Sequence, residues 1–230
     1  MNRRNPQSVG DATVQSLADR LRVLSASAPR TIVGLCGAPG AGKSTLAAEL
    51  AHELGPRLAV VVPMDGFHLA NQVLRHLGLA DRKGAPETFD VHAYVATLRR
   101  LADRSDPVVY VPEFRRELEE SFASALAVPS DVPLVITEGN YLLLPDGAWP
   151  LARALMDEVW YLDVDEQTRR ERLVARHRRH GRSRDEALEW VARVDEPNAV
   201  AIAATAPAAD VRIRFRDAAS VGRVGTEGPR

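Results

Sequence analysis

The chain has one cysteine, Cys36, in 230 residues. No internal disulfide can form, and a reducing, cytoplasmic setting is expected. Cys36 ends an apolar run, where a small core filler is the ordinary reading. Net charge is scarce as well. Thirty Lys and Arg face 31 Asp and Glu, for a formal charge of −1. That balance offers no overall attraction to nucleic acid or to an anionic membrane. No apolar stretch nears the roughly 20 residues needed to span a bilayer. The polar segment Met1–Gly10 lacks the apolar core of a secretory signal. No His or Cys spacing suggests zinc. An N-K-x-D guanine motif is also missing.

What remains is an ordinary globular composition, 45% apolar and 27% charged. The length fits one domain over residues 1–215, carrying a small lid at about 165–184. A loose, Gly-rich tail is expected over 216–230.

Residues 1–10 read as disordered. Asp11 is placed to cap a helix to about Ala26. Continuous apolar runs at Thr31–Cys36, Leu58–Val62, Val108–Val111, Leu134–Thr137, Val159–Leu162 and Val211–Phe215 read as strands. Helical patterns lie between them, at Lys43–Leu54, Leu69–Leu77, Val91–Ala102 and from Asp165 to about His180. Further helices are expected at Arg184–Val194 and Pro197–Thr205, with a loop at Gly78–Asp90. Strands of this kind alternating with helices predict a mainly parallel sheet of five or six strands, covered on both faces. The fold class is therefore three-layer α/β. Ligands in such sheets bind at the carboxyl ends of the strands. Gly37, Asp65, Glu138 and Asp163 end four strands, and the first three are expected to line one crevice.

The segment Gly37-Ala38-Pro39-Gly40-Ala41-Gly42-Lys43-Ser44 matches G-x-x-x-x-G-K-S in full, with a strand before it and a helix after. Glycines there let main-chain N–H groups turn toward phosphate oxygens, and the helix dipole adds to the attraction. Lys43 reaches toward the β- and γ-phosphates, and Ser44 is the Mg²⁺ ligand, with Thr45 beside it. ATP and Mg²⁺ are thus the expected cofactors. Asp65, after the second strand, is suited to orient a hydroxyl and take its proton. Its competing role is a helix cap. His68 is a candidate acceptor or phosphate contact. Arg169, Arg172, Arg176 and Arg179 share one face of a basic helix. So many like charges call for an anion, and bound phosphate supplies one. That helix has no aromatic interleaving, which argues against nucleic acid.

These motifs, with Phe89-Asp90, Tyr110 and Glu138-Gly139-Asn140-Tyr141, resemble the phosphoribulokinase, uridine kinase and pantothenate kinase superfamily of P-loop kinases. More narrowly, they resemble bacterial proteins of the nucleoside/nucleotide kinase or fructose-transport-system kinase type. The resemblance implies that Asp65 is the catalytic carboxylate and that Glu138 helps hold Mg²⁺. It implies acceptor contacts at Phe89, Asp90, Tyr110 and Tyr141. It also implies a phosphate-clamping lid using Arg172 and Arg176, with Arg169 at the helix base, and it allows a homodimer. Arg115 stands where relatives tend to carry Asp. Arg115 or Arg116 therefore points to an anionic acceptor, or to a solvated pair. The expected activity is transfer of the γ-phosphoryl group of MgATP to a hydroxyl of a small metabolite. A regulatory ATP-binding protein without an acceptor is the alternative.

Overall fold

The structure, a computed structural model, describes residues 7–10 and 12–214. In chain order the first half gives β1 (Gln7–Val9), α1 (Val14–Ser25), β2 (Thr31–Cys36), α2 (Lys43–Leu54), β3 (Ala59–Pro63), α3 (Asn71–His76) and α4 (Val91–Asp103). The second half gives β4 (Val108–Arg115), β5 (Glu120–Pro129), β6 (Leu134–Gly139), α5 (Trp149–Arg153), β7 (Glu158–Leu162), α6 (Glu166–Arg179), α7 (Arg184–Trp190), α8 (Glu196–Ala203) and β8 (Val211–Ile213).

Six strands form one parallel sheet in the order β1-β8-β7-β2-β6-β3. Every residue of β2 and β6 is buried. Their continuous apolar runs are what a sheet covered on both sides requires. Alternate residues sort onto the two faces. Val33, Leu35 and Ile136 meet Leu17 and Leu21 of α1 and Leu46 and Leu50 of α2. Ile32, Cys36 and Val135 meet Tyr94 and Leu98 of α4 and Trp149 of α5. The result is three layers, α/β/α. Register then aligns the strand ends: Cys36 lies opposite Gly139 and Tyr161, and Pro63 lies opposite Glu138. The turns that follow β2, β3 and β6 therefore leave the sheet side by side.

Several expectations need correction. Residues 7–9 are not disordered, because β1 pairs in parallel with β8 along the sheet edge. Thr13, rather than Asp11, caps α1, through a reciprocal capping box with Ser16. Residue 11 lies outside the described residues, as do Phe215 and the 216–230 tail. The segment Val108–Val111 is not part of the main sheet. It opens a longer strand, β4, which pairs antiparallel with the unanticipated β5 as a separate hairpin. Glu138 lies inside β6 rather than after it. The segment Arg184–Val194 is α-helical only to Trp190, and a π-helical turn, Val191–Asp195, carries the chain into α8. Among the described residues no helix is long and apolar enough to cross a membrane.

Candidate active site

The loop between β2 and α2 is built for close approach. Gly42, the residue before α2, has φ 95° and offers no side-chain cap, so the first amides of α2 are left for a ligand. Gly40 has φ 80°, and a Cβ there would sit 2.7 Å from the Arg169 carbonyl oxygen. Lys43 is buried and donates from Nζ to the carbonyls of Gly37 (2.9 Å) and Ala38 (3.2 Å) and to Asn140 Oδ1 (2.5 Å). Burial lowers its pKa, and the nearby Glu138 charge opposes that effect. The lysine holds the loop from within, and a phosphate arriving there would supply the anion its buried charge calls for. Cys36 is buried beneath it and donates to the Asn140 carbonyl at 3.3 Å. Burial pushes its thiol up to about 11, which makes it unreactive.

The start of α6 is fastened onto this loop. Arg169 is buried, donates to the Pro39 carbonyl (3.4 Å) and pairs with Glu196. Arg172 donates to the Ala41 carbonyl (3.3 Å). Both grip the main chain of the phosphate loop.

Ser44 Oγ donates to Glu138 Oε1 at 3.0 Å. Glu138 is 5% exposed, and its pKa is raised by burial first and by the Asp65 charge second. A divalent cation would favour the ionised form that this setting disfavours, so the pair fits Mg²⁺ chemically. No group of three or more His, Cys, Asp and Glu among the described residues could hold a metal. The remaining oxygens of such a site would come from the nucleotide and water, the usual way of binding Mg²⁺.

The same burial predicts a stability cost. A carboxylate whose folded pKa exceeds its unfolded value stabilises the fold only in its protonated state. Its contribution is present below the unfolded pKa and is lost as pH rises through the folded pKa. Without nucleotide, Glu138→Gln should therefore melt at the same temperature as the native protein near pH 4 and above it at pH 8. Paired thermal melts at the two pH values test this. A variant that is less stable at pH 8 would contradict it.

Across the crevice, a 3₁₀ turn, Met64–Phe67, follows β3 and carries Asp65. Asp65 caps no helix, because α3 begins at Asn71, after Ala70, without a side-chain cap. Instead its Oδ2 pairs with Arg116 Nη2 at 3.1 Å. The turn is pressed against the hairpin. A Cβ on Gly66 would overlap the Pro112 carbonyl, which is main chain and cannot move aside easily. Gly66→Ala should therefore cost about 1–3 kcal/mol, or roughly 2–12 °C in Tm. An unchanged melt would show that the turn is free of the hairpin.

The His68 ring packs, tilted, against Phe89 (4.0 Å between centroids) and Phe114 (4.7 Å). Its Nδ1 lies 2.7 Å from the Asp65 carbonyl, so Nδ1 carries the proton and donates. Burial lowers its pKa, leaving a neutral ring at pH 7.

The far wall comes from α6 and the π-helical turn. Arg176 and His177 face Asp195, at 4.0 and 2.8 Å. Asp195 is buried. A π turn adds a residue to the helix and so shifts which side chains point inward. Here it places Asp195 against the arginine helix. Trp190 carries the Arg182 guanidinium 4.0 Å above its ring.

Together Lys43, Ser44, Asp65, His68, Lys83, Phe89, Phe114, Arg116, Glu138, Asn140, Arg176, His177, Trp190 and Asp195 line a crevice of about 630 Å³. That volume is in the range of small-ligand sites. Other expected site residues fall elsewhere. Asp90 caps α4 through the Ala93 amide. Tyr110 is 60% exposed on the hairpin. Arg115 turns away to Glu113 and the Phe122 ring. Tyr141 is buried beneath Phe89 and donates to the Gly84 carbonyl. Thr45 is exposed on the first turn of α2. Asp163 pairs with Arg212 and Arg214. Conversely, Asn140, Phe114, His177 and Asp195 escaped notice as site residues. Asn140 directly follows Glu138-Gly139, which is the signal that could have found it.

Comparison with known proteins agrees with this fold. The family described as "AAA domain" matches residues 33–190. "Uncharacterized protein YggC" of Escherichia coli is 39% identical over 173 residues, covering 74% of this chain and 71% of its own. "Putative uridine kinase C227.14" of Schizosaccharomyces pombe is 33% identical, covering 74% and 76%. Among solved structures, a "putative fructose transport system kinase" from Silicibacter sp. TM1040 superposes with a TM-score of 0.78 at 39% identity, covering 87% of this chain and 98% of that one.

Proposed function

We propose, from the premise that this chain belongs to the AAA-domain family and there to the P-loop kinases, that it transfers the γ-phosphoryl group of MgATP to a hydroxyl of a small metabolite. One observation carries the reading. Asp65 and the phosphate loop face each other across a single crevice, and Asp65 has no capping role to occupy it. A protein that only binds nucleotide does not need a carboxylate placed to orient a hydroxyl.

The residues divide the work as follows. Main-chain amides of Gly40–Ser44 and the Lys43 ammonium bind the nucleotide phosphates. Ser44 and Glu138 would hold Mg²⁺, whose charge offsets that of the phosphate oxygens. Asp65 orients the acceptor hydroxyl and receives its proton. Arg176 reaches the transferring group from the lid, while Arg169 and Arg172 fix the loop that positions it. His68, Phe89 and Phe114 form an aromatic floor for the acceptor. Closing α6–α8 over the crevice excludes water.

An ADP-release assay with a panel of nucleosides, sugars and hydroxy acids tests the reading. Stimulation by at least one alcohol, with a phosphorylated product in equal amount, is the expected result. If ADP release is indifferent to every alcohol and nothing is phosphorylated, the proposal fails.

A further inference from the structure

We infer that Arg116 restrains Asp65 until the acceptor arrives, and that the acceptor carries an anionic group, carboxylate or phosphate, besides its hydroxyl. The inference rests on the kinase reading above. The Arg116 guanidinium sits on the Asp65 carboxylate at 3.1 Å. A carboxylate held this way has one oxygen engaged and is partly screened from an alcohol. The two side chains are 41% and 27% exposed. An ion pair this open contributes at most about 1 kcal/mol, so a ligand can exchange it.

What would draw Arg116 away is legible in its surroundings. Lys83, Arg116 and Arg176 line the same crevice. The Arg116 charge acts against that of Arg176, which is already disfavoured by burial. Asp195, the carboxylate nearest Arg176, is 4.0 Å away and is shared with His177. Lys83 is bonded to Asn71 Oδ1 (2.6 Å) and to the Glu119 carbonyl, and the Glu119 and Glu120 charges offset its own. An anionic group on the acceptor gains a charge-assisted, two-pronged bond from Arg116 and eases the repulsion between Arg116 and Arg176. A neutral alcohol gains neither. Arg115 faces Glu113 and Phe122 and does not compete.

The consequence is control of wasteful hydrolysis. In transfer, the acceptor oxygen bonds to the γ-phosphorus, its proton passes to Asp65, and the bond to the β–γ bridging oxygen breaks with its electron pair leaving on ADP. Water in place of the alcohol gives hydrolysis by the same route. Arg116 on Asp65 holds that route down.

The test is MgATP hydrolysis without any alcohol, in the native protein and in Arg116→Gln, with inorganic phosphate or acetate as stand-ins for the two anionic groups. Arg116→Gln should hydrolyse faster by up to about fivefold, the worth of an exposed pair. Phosphate or acetate should stimulate the native protein and not the variant, and the one that does so names the group. Arg116→Lys, which keeps the charge, should behave more like native than Arg116→Gln and controls for folding. If Asp65→Asn lowers hydrolysis but Arg116→Gln does not raise it, the restraint is refuted and the kinase reading stands. If hydrolysis rises but neither anion stimulates native protein, the acceptor class is refuted. If Asp65→Asn changes nothing, both readings fall.

Discussion

Asp65→Asn should lower kcat for acceptor phosphorylation by about 10²–10⁴, the usual worth of a positioned general base. Asparagine keeps the shape and one hydrogen-bond acceptor but cannot take the hydroxyl proton. Because Asp65 stands across the crevice from the phosphate loop, nucleotide affinity should stay close to native. That combination separates chemistry from binding: kcat falls and the Kd for MgADP does not. It also separates chemistry from folding. Asp65 is held by one half-exposed pair with Arg116, so loss of the charge should leave the melt nearly unchanged. A kcat within about twofold of native would remove Asp65 from the mechanism and the main support for phosphoryl transfer with it.

Arg176→Ala should cost more, about 10³–10⁵ in kcat, if its guanidinium stabilises the charge that develops on the transferring group. Three observations single it out from its neighbours. Arg176 lines the crevice. Arg169 and Arg172 are turned to the main chain of the phosphate loop. Arg179, on the same helix, is exposed. Arg179→Ala is therefore the matched control, and it should change kcat little. A raised KM for ATP with kcat unchanged in Arg176→Ala would mean that the arginine binds ground state and transition state alike. Arg169→Ala should act differently again, by loosening the loop and lowering the melting temperature, since Glu196 would lose its buried partner.

The phosphate loop and Asp65 were legible before folding because their signals are local. Glycine spacing, a preceding apolar run and a following helix lie within about a dozen residues, and the geometry they imply depends on little else. A strand end followed by Asp is almost as local. The acceptor wall was not legible in the same way. His68 and Phe89 line the crevice as expected, but of the hairpin contacts expected at Tyr110, Arg115 and Arg116 only Arg116 does. The register of β4 against β5 shifts between Val111 and Glu113. The bulge falls on β5, where the four steps from Phe122 to Leu126 match the two steps of β4 from Val111 to Glu113. Tyr110 lies outside, while Phe114 near the end of β4 and Arg116 in the turn after it reach the crevice. Nothing in residues 108–116 announces that bulge, because it depends on pairing with β5. That strand, with its exposed, small and polar residues, carries no strong strand pattern of its own.

The lid is a second case. In sequence, Asp195, Glu196 and Asn198 suggest no role beyond capping and pairing, and with which partners is not evident. Their meaning comes from the π-helical turn, which brings Asp195 to His177 and Glu196 to Arg169.

Short-range chemistry in this chain thus fixed a parallel three-layer α/β sheet, a phosphate cradle, a carboxylate opposite it and a basic helix nearby. These follow from residue type and spacing over one strand–turn–helix unit. Which arginine reaches the crevice and which clamps the loop, which aromatic rings form the floor, and that Arg116 sits on Asp65 were decided only in three dimensions. Each depends on the register of one element against another far along the chain, and a shift of one residue in that register turns every side chain to the opposite face.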